Sequence, residues 1–211
     1  VEAGESCLYV TLSETQQELH AVAKAHGWSV DRLHVYEMSA AEAGLIEQHE
    51  NTLYAPAEVE LGERVQALMR EVDRVKPTRV VLDSCSELRL LAQSPLRFRR
   101  QLLALKEYLV RKDCTILLLE NPTSVGGDPL LQSLVHGVLA MEQLAPLYGA
   151  ERRRLRVVKM REVQYRGGYH DMMIRRGGVH VFPRLIAAEH HQPFVSEQVS
   201  SGVPALDSLL D

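Results

Sequence analysis

Apolar residues come first in short unbroken runs separated by helical periodicity, and later in short stretches broken by glycine pairs. The run over residues 7–12, Cys-Leu-Tyr-Val-Thr-Leu, predicts a buried strand. Ser13 or Thr15 then caps a helix, because Ser13 to Gln16 and Thr15 to Glu18 both have capping-box spacing. Leu19, Val22, Ala23 and His26 give that helix its less polar face, and Gly27 is its stop. Residues 33–36 predict a second strand. Residues 39–57 are polar and weakly patterned, and read as a loop with at most one short helix. Leu61, Val65, Leu68, Met69, Val72 and Val75 mark a strong helix ended by Pro77. Arg79–Asp83 is a short buried strand. Ser94-Pro95 opens a further helix whose core face is Leu102, Leu105, Leu109 and Val110. Residues 114–119 are another continuous apolar strand.

Strands apolar on both faces, alternating with helices, imply an α/β fold with a mostly parallel sheet flanked by helices. The pattern changes after about residue 137. Short strands are expected at 137–141, 155–160, 172–174 and 179–182, with turns at Gly167-Gly168 and Gly177-Gly178. The parallel part therefore passes into an antiparallel β meander. From Ala187 onward the polar composition reads as a linker with an extended arm.

Composition narrows the classes. The 211 residues suffice for one sizeable domain, and 45% hydrophobic with 25% charged residues is ordinary for a globular protein. No apolar run approaches the roughly 20 residues of a membrane span. The start shows no secretory signal and no initiator Met, which leads us to expect a segment of a longer chain. A net charge of −4 argues against nucleic acid as the main partner. Arg152, Arg153, Arg154 and Arg156 nevertheless cluster, with Arg166, Arg175 and Arg176 nearby; the plain reading is a solvated hairpin surface. Cys7, Cys85 and Cys114 lack metal-ligand spacing and read as small buried residues in a reducing compartment. His190-His191 reads as an exposed loop rather than a zinc site.

Four places carry candidate chemistry. Val157-Val158-Lys159-Met160-Arg161 ends a strand in two cations on one face, which repel unless an anion such as phosphate lies between them. The alternative is a pair of edge-strand cations that discourage aggregation. Asp83 ends an apolar strand, where a carboxylate can hold the water shell of Mg²⁺; it could equally be turn chemistry. Glu14, after Ser13, could orient or deprotonate a water, or serve the helix start. Glu120-Asn121 leads into a loop with Gly126-Gly127 that could sense a phosphate. Against these, no phosphate loop of the form G-x-x-x-x-G-K-[ST] occurs in the chain.

Together these residues resemble the KaiC-like branch of RecA-fold P-loop ATPases. Tyr9-Val10-Thr11-Leu12-Ser13-Glu14-Thr15 is similar to that family's strand and paired-glutamate turn, and His26-Gly27-Trp28 to its Phe-Gly-Trp. Val80-Val81-Leu82-Asp83-Ser84 resembles the Walker B strand, and Lys159-Met160-Arg161 the lysine-x-arginine finger. Gly168-Tyr169-His170-Asp171 and Val181-Phe182-Pro183-Arg184 continue the likeness. Residues 200–210, Ser-Ser-Gly-Val-Pro-Ala-Leu-Asp-Ser-Leu-Leu, resemble the opening of a further KaiC-type domain.

The resemblance implies a RecA-like ATPase body over residues 1–186, then a linker and the start of a following domain over 187–211. It implies a cytoplasmic signalling protein that binds ATP and Mg²⁺ and assembles as a homo-oligomer, a hexameric ring. Asp83 would hold the metal shell, and Glu14 with Ser13 would stand at the catalytic turn. Lys159, Arg161 and Tyr165 would bind nucleotide, the two cations in trans from the neighbouring subunit. Two departures are visible: Ser13 stands where the family has a first glutamate, and the phosphate loop with its strand is missing from this segment. Its loss is expected to leave a slot beside the Asp83 strand, and the segment by itself is expected to be inactive. The alternative is a non-catalytic scaffold of the same fold.

Overall fold

The computed structural model describes residues 4–38, 56–121, 129–189 and 199–210. Of the stretch expected as a loop at 39–57, residues 39–55 lie outside the described residues and Pro56 and Ala57 begin a helix; Gly126-Gly127 and His190-His191 also lie outside the described residues.

The first half alternates strand and helix: β1 (Cys7–Thr11), α1 (Gln16–His26), β2 (Leu33–Glu37), α2 (Pro56–Val75), β3 (Arg79–Asp83), α3 (Cys85–Ala92), α4 (Pro95–Arg111) and β4 (Thr115–Leu118). Its four strands form a parallel sheet in the order β2-β1-β3-β4. A short helix, α5 (Pro129–Leu134), leads to β5 (Gly137–Leu144), β6 (Arg152–Met160), β7 (Tyr169–Arg175) and β8 (Gly178–Phe182). These form a four-stranded antiparallel meander in sequential order. A last helix, α6 (Pro204–Leu210), closes the described chain. No helix among the described residues is long and apolar enough to cross a membrane.

One face of the parallel sheet makes the core. Leu8, Val10, Val80 and Leu82 are wholly buried and pack with Leu68 and Val72 of α2, Leu88 of α3 and Leu105 of α4. Each such side chain contributes about 1.5–3 kcal/mol on burial. The opposite face, with Tyr9 and Val81, is half-buried, and Leu117 on β4 is 47% exposed. Thr15, not Ser13, caps α1: its hydroxyl accepts from the Glu18 N–H, and the Glu18 carboxylate accepts from the Thr15 N–H.

Several expectations need correction. The Asp83 strand has no slot beside it: β1 pairs with one edge of β3 and β4 with the other, so the unpaired edges of this sheet are those of β2 and β4. The apolar β4 run satisfies one side of its backbone by docking there. Val110 and Val22 belong to solvent-facing surfaces; α4 instead buries Phe98, four residues before Leu102. Neither α3 nor α5 was legible beforehand, each being too short to show a helical period. The meander strands are longer than their apolar cores, because arginines and acids extend them.

The meander is fastened to the first half at the end of α1. Gly27 closes that helix at φ 74°, and a Cβ there would lie 3.1 Å from the Arg176 side chain. The Gly177 N–H of the β7–β8 turn donates to the His26 carbonyl at 2.9 Å, and the His26 ring stacks on Trp28. Buried His170 ties the other end. Its Nδ1 accepts from the Arg184 N–H at 2.9 Å, so Nε2 carries the proton and donates to the Arg166 carbonyl at 3.0 Å. His170→Ala removes both bonds, taking the imidazole partner from the Arg184 N–H and the Arg166 carbonyl. We expect a loss of about 1–3 kcal/mol in chemical denaturation; an unchanged midpoint would show that these bonds do not hold the meander.

Candidate functional site

The carboxyl end of the parallel sheet is built by pairing Thr11 of β1 against Asp83 of β3. Main-chain bonds hold this end from both sides: the Leu12 N–H donates to the Asp83 carbonyl at 2.8 Å, and the Leu119 N–H to the Leu82 carbonyl at 3.0 Å. The Cys85 N–H then donates to the Leu119 carbonyl at 2.8 Å as α3 begins. The Asp83–Ser84 peptide is cis.

Two side chains of β1 that sequence reasoning passed over organise the carboxylates. The Tyr9 hydroxyl donates to Asp83 Oδ2 at 2.5 Å. Burial raises the Tyr9 phenol far above its usual pKa, the bond to Asp83 adds to the rise, and the charges of Asp83 and Glu14 raise it further. That phenol therefore stays protonated and can only donate to the carboxylate. Buried Thr11 shapes the turn beyond β1. Its hydroxyl donates to the Glu14 carbonyl at 2.8 Å and accepts from the Glu14 N–H at 2.9 Å. Glu14 thus leaves the strand at the edge where Asp83 ends β3, with its side chain exposed. Ser13 is exposed too, and its hydroxyl makes no hydrogen bond among the described residues. The signal for Tyr9 and Thr11 was available: they share a face of β1 by the two-residue period of a strand.

Lys159, Arg161 and Tyr165 form a separate group. Lys159 Nζ donates to the Gln132 carbonyl, Arg161 to the Ser133 carbonyl at 3.3 Å, and Lys106 Nζ to the Leu134 carbonyl at 2.7 Å. Three cations thus meet the carbonyl end of α5, where the helix dipole is negative. Partial desolvation lowers the Lys159 pKa, and the charges of Arg161 and Lys106 lower it further. Within this chain the anionic partner expected between the two cations is a helix terminus. Exposed Tyr165 points its hydroxyl back to the Val158 carbonyl at 3.5 Å. Among the described residues, no hydrogen bond or ion pair joins these three to Asp83 or Glu14.

The other candidates are engaged structurally. Glu120 pairs with Arg89 of α3. Cys85, one residue past Ser84, is inert: burial pushes its thiol up to about 12. In the arginine cluster, Arg152 pairs with Asp171 at 2.8 Å, and Arg154 pairs with Glu142 at 2.7 Å while lying 3.7 Å over the Tyr169 ring. The Arg154 bond holds the Glu142 carboxyl below its usual range. Arg152 and Arg154 are thereby balanced by acids of the meander itself.

A divalent cation that keeps its waters and binds phosphates needs only one or two carboxylates from protein. Among the described residues no group of three or more His, Cys, Asp or Glu is placed to hold a metal. Asp83, with Oδ2 held by Tyr9 and Oδ1 free of protein donors among the described residues, fits the lighter requirement of Mg²⁺.

A parallel sheet with carboxylates at its carboxyl end, continued by an antiparallel meander, defines an α/β domain of the RecA type. The chain belongs to the KaiC ATPase family: the family described as "ATPase: KaiC" matches residues 1–186. A UPF0273 protein of Thermotoga maritima is 27% identical over 191 residues, covering 87% of this chain and 78% of that protein. The crystal structure of a KaiC-like protein from the hyperthermophilic archaeon Pyrococcus horikoshii superposes with a TM-score of 0.66 at 21% identity. It covers 86% of this chain and 78% of the other.

The Thr11 hydroxyl makes both bonds of the turn, and valine has nearly the same shape. Thr11→Val should therefore cost about 1–2 kcal/mol in urea unfolding. Stability equal to the parent would mean that the turn holds Glu14 without the hydroxyl.

Proposed function

We propose that this chain is the body of an ATP-binding and ATP-hydrolysing domain. The observation that carries the reading is the Thr11–Asp83 register, which brings the Glu14 turn and the Asp83 carboxylate to one end of one sheet. Asp83 would hold the water shell of Mg²⁺ through its unengaged oxygen. The metal, when bound with nucleotide, would neutralise charge on the transferring phosphoryl group. Glu14 would accept a hydrogen bond from the attacking water, and the exposed Ser13 would stand beside it in the same turn. Lys159, Arg161 and Tyr165 would bind nucleotide, Lys159 and Arg161 acting in trans on that held by the adjacent subunit of a homo-oligomeric ring, proposed to be hexameric, within a cytoplasmic signalling protein.

A second reading keeps the fold without turnover. It is favoured by Ser13, a poor base where the family carries glutamate, and by the engagement of Lys159 and Arg161 with α5 of their own chain. Equilibrium binding of ATP with Mg²⁺ to the full-length protein separates the two readings, since a scaffold has no measurable affinity.

On the first reading, Glu14→Gln in the full-length protein lowers the rate of hydrolysis about 100-fold or more while leaving ATP binding intact. Parent-like turnover in that variant would remove Glu14 from the chemistry. The trans assignment is tested by mixing. Asp83→Asn and Arg161→Ala proteins, each inactive alone, should regain activity as mixed rings, because one interface then carries both intact groups. Activity absent from every mixture, with mixed rings verified, would confine Arg161 to its own chain.

A further inference from the structure

We propose that Tyr9 is a positioning residue for the divalent cation, its phenol holding one oxygen of Asp83 so that the other faces the ligand. This rests on the assignment of Asp83 made above and concerns how that carboxylate is aimed.

Tyr9 pairs with Val81 and Thr11 with Asp83, so Tyr9 lies two positions back from Asp83 along the neighbouring strand, on the same face. Two strand residues span about 6.6 Å, which an extended tyrosine side chain covers. The Asp83 main chain is already locked, with its carbonyl taken by the Leu12 N–H and the Cys85 N–H bonded to the Leu119 carbonyl just past β4. What remains free is rotation of the carboxylate about its own side-chain bonds. The phenol removes that freedom by donating to Oδ2 at 2.5 Å. Among the described residues no other side chain bonds to Asp83. An ionised carboxylate only accepts hydrogen bonds, so the phenol must be the donor and Oδ1 keeps its lone pairs for the metal-bound water or the metal. Partners one step behind a metal-binding carboxylate characteristically change metal affinity when removed, by about 10–100-fold. Phenylalanine would fill the same place on the half-buried face, so Tyr9→Phe removes the donor and little else.

The test is the Mg²⁺ dependence of binding of a fluorescent ATP analogue, measured at equilibrium without turnover, for the full-length protein as parent and its Tyr9→Phe and Asp83→Asn variants. We expect Tyr9→Phe to raise the half-saturating Mg²⁺ concentration about tenfold or more, while affinity in the presence of EDTA stays at the parent value. A role in packing alone would lower both affinities together or neither. If Asp83→Asn shifts the Mg²⁺ dependence and Tyr9→Phe does not, the inference about Tyr9 is overturned and the site assignment survives. If neither variant shifts it, or the parent fails to bind the analogue, the assignment of Asp83 fails and takes the inference with it. Should Tyr9→Phe not fold, Tyr9→Met decides by the same titration.

Discussion

β1 and β3 lie side by side in parallel, and almost everything of consequence in this molecule follows from their register. Leu8 and Val10 pair with Val80 and Leu82, and all four are fully buried. A slip of β1 by one residue would carry Leu8 and Val10 to the half-open face and bring Tyr9 into the core. The apolar face thus sets the register, and the register sets which polar residues meet at the strand ends. Thr11 falls opposite Asp83, Tyr9 falls two positions behind it, and Glu14 leaves the sheet at the same edge. Core packing and the geometry of the candidate site are consequences of one alignment.

The meander meets different demands. It is bound to the first half at the end of α1 through main-chain bonds to a glycine turn, and its own far end is pinned by one buried imidazole. Its arginines are spent on acids and on the Tyr169 ring more than on an open basic surface. Lys159 and Arg161 attend the carbonyl end of α5, which suits cations electrostatically. Such contacts bond only to main-chain carbonyls, so they hold α5 against β6 without a second charged side chain. The same two residues therefore stabilise their own chain, whatever they touch beyond it.

The continuous apolar runs of β1, β3 and β4 were readable from residue type alone, although the structure fully buries only one face of β1 and β3 and leaves β4 partly exposed. Gly27 announced the end of α1, since a left-handed residue there favours glycine. Errors fell where one-dimensional pattern stops carrying information. Val110 has the spacing of a core residue, yet the neighbouring elements cover the other side of α4. An eight-residue helix such as α3, starting straight after a strand, shows too few turns for periodicity to register. The supposed slot beside β3 failed because strand order is not written in any strand's own composition.

The amino-acid sequence by itself determined the α/β character, the change to an antiparallel meander, and the carboxylates and cations available for chemistry. Those properties follow from local periodicity and from residue type. The tertiary structure alone decided that Tyr9 bonds Asp83, that Thr11 bends the chain toward Glu14, and that Lys159 and Arg161 share a helix end with Lys106. Each of the interstrand and helix-end contacts joins residues far apart along the chain. Their partners are chosen by which apolar faces bury one another, a property of the whole packed molecule.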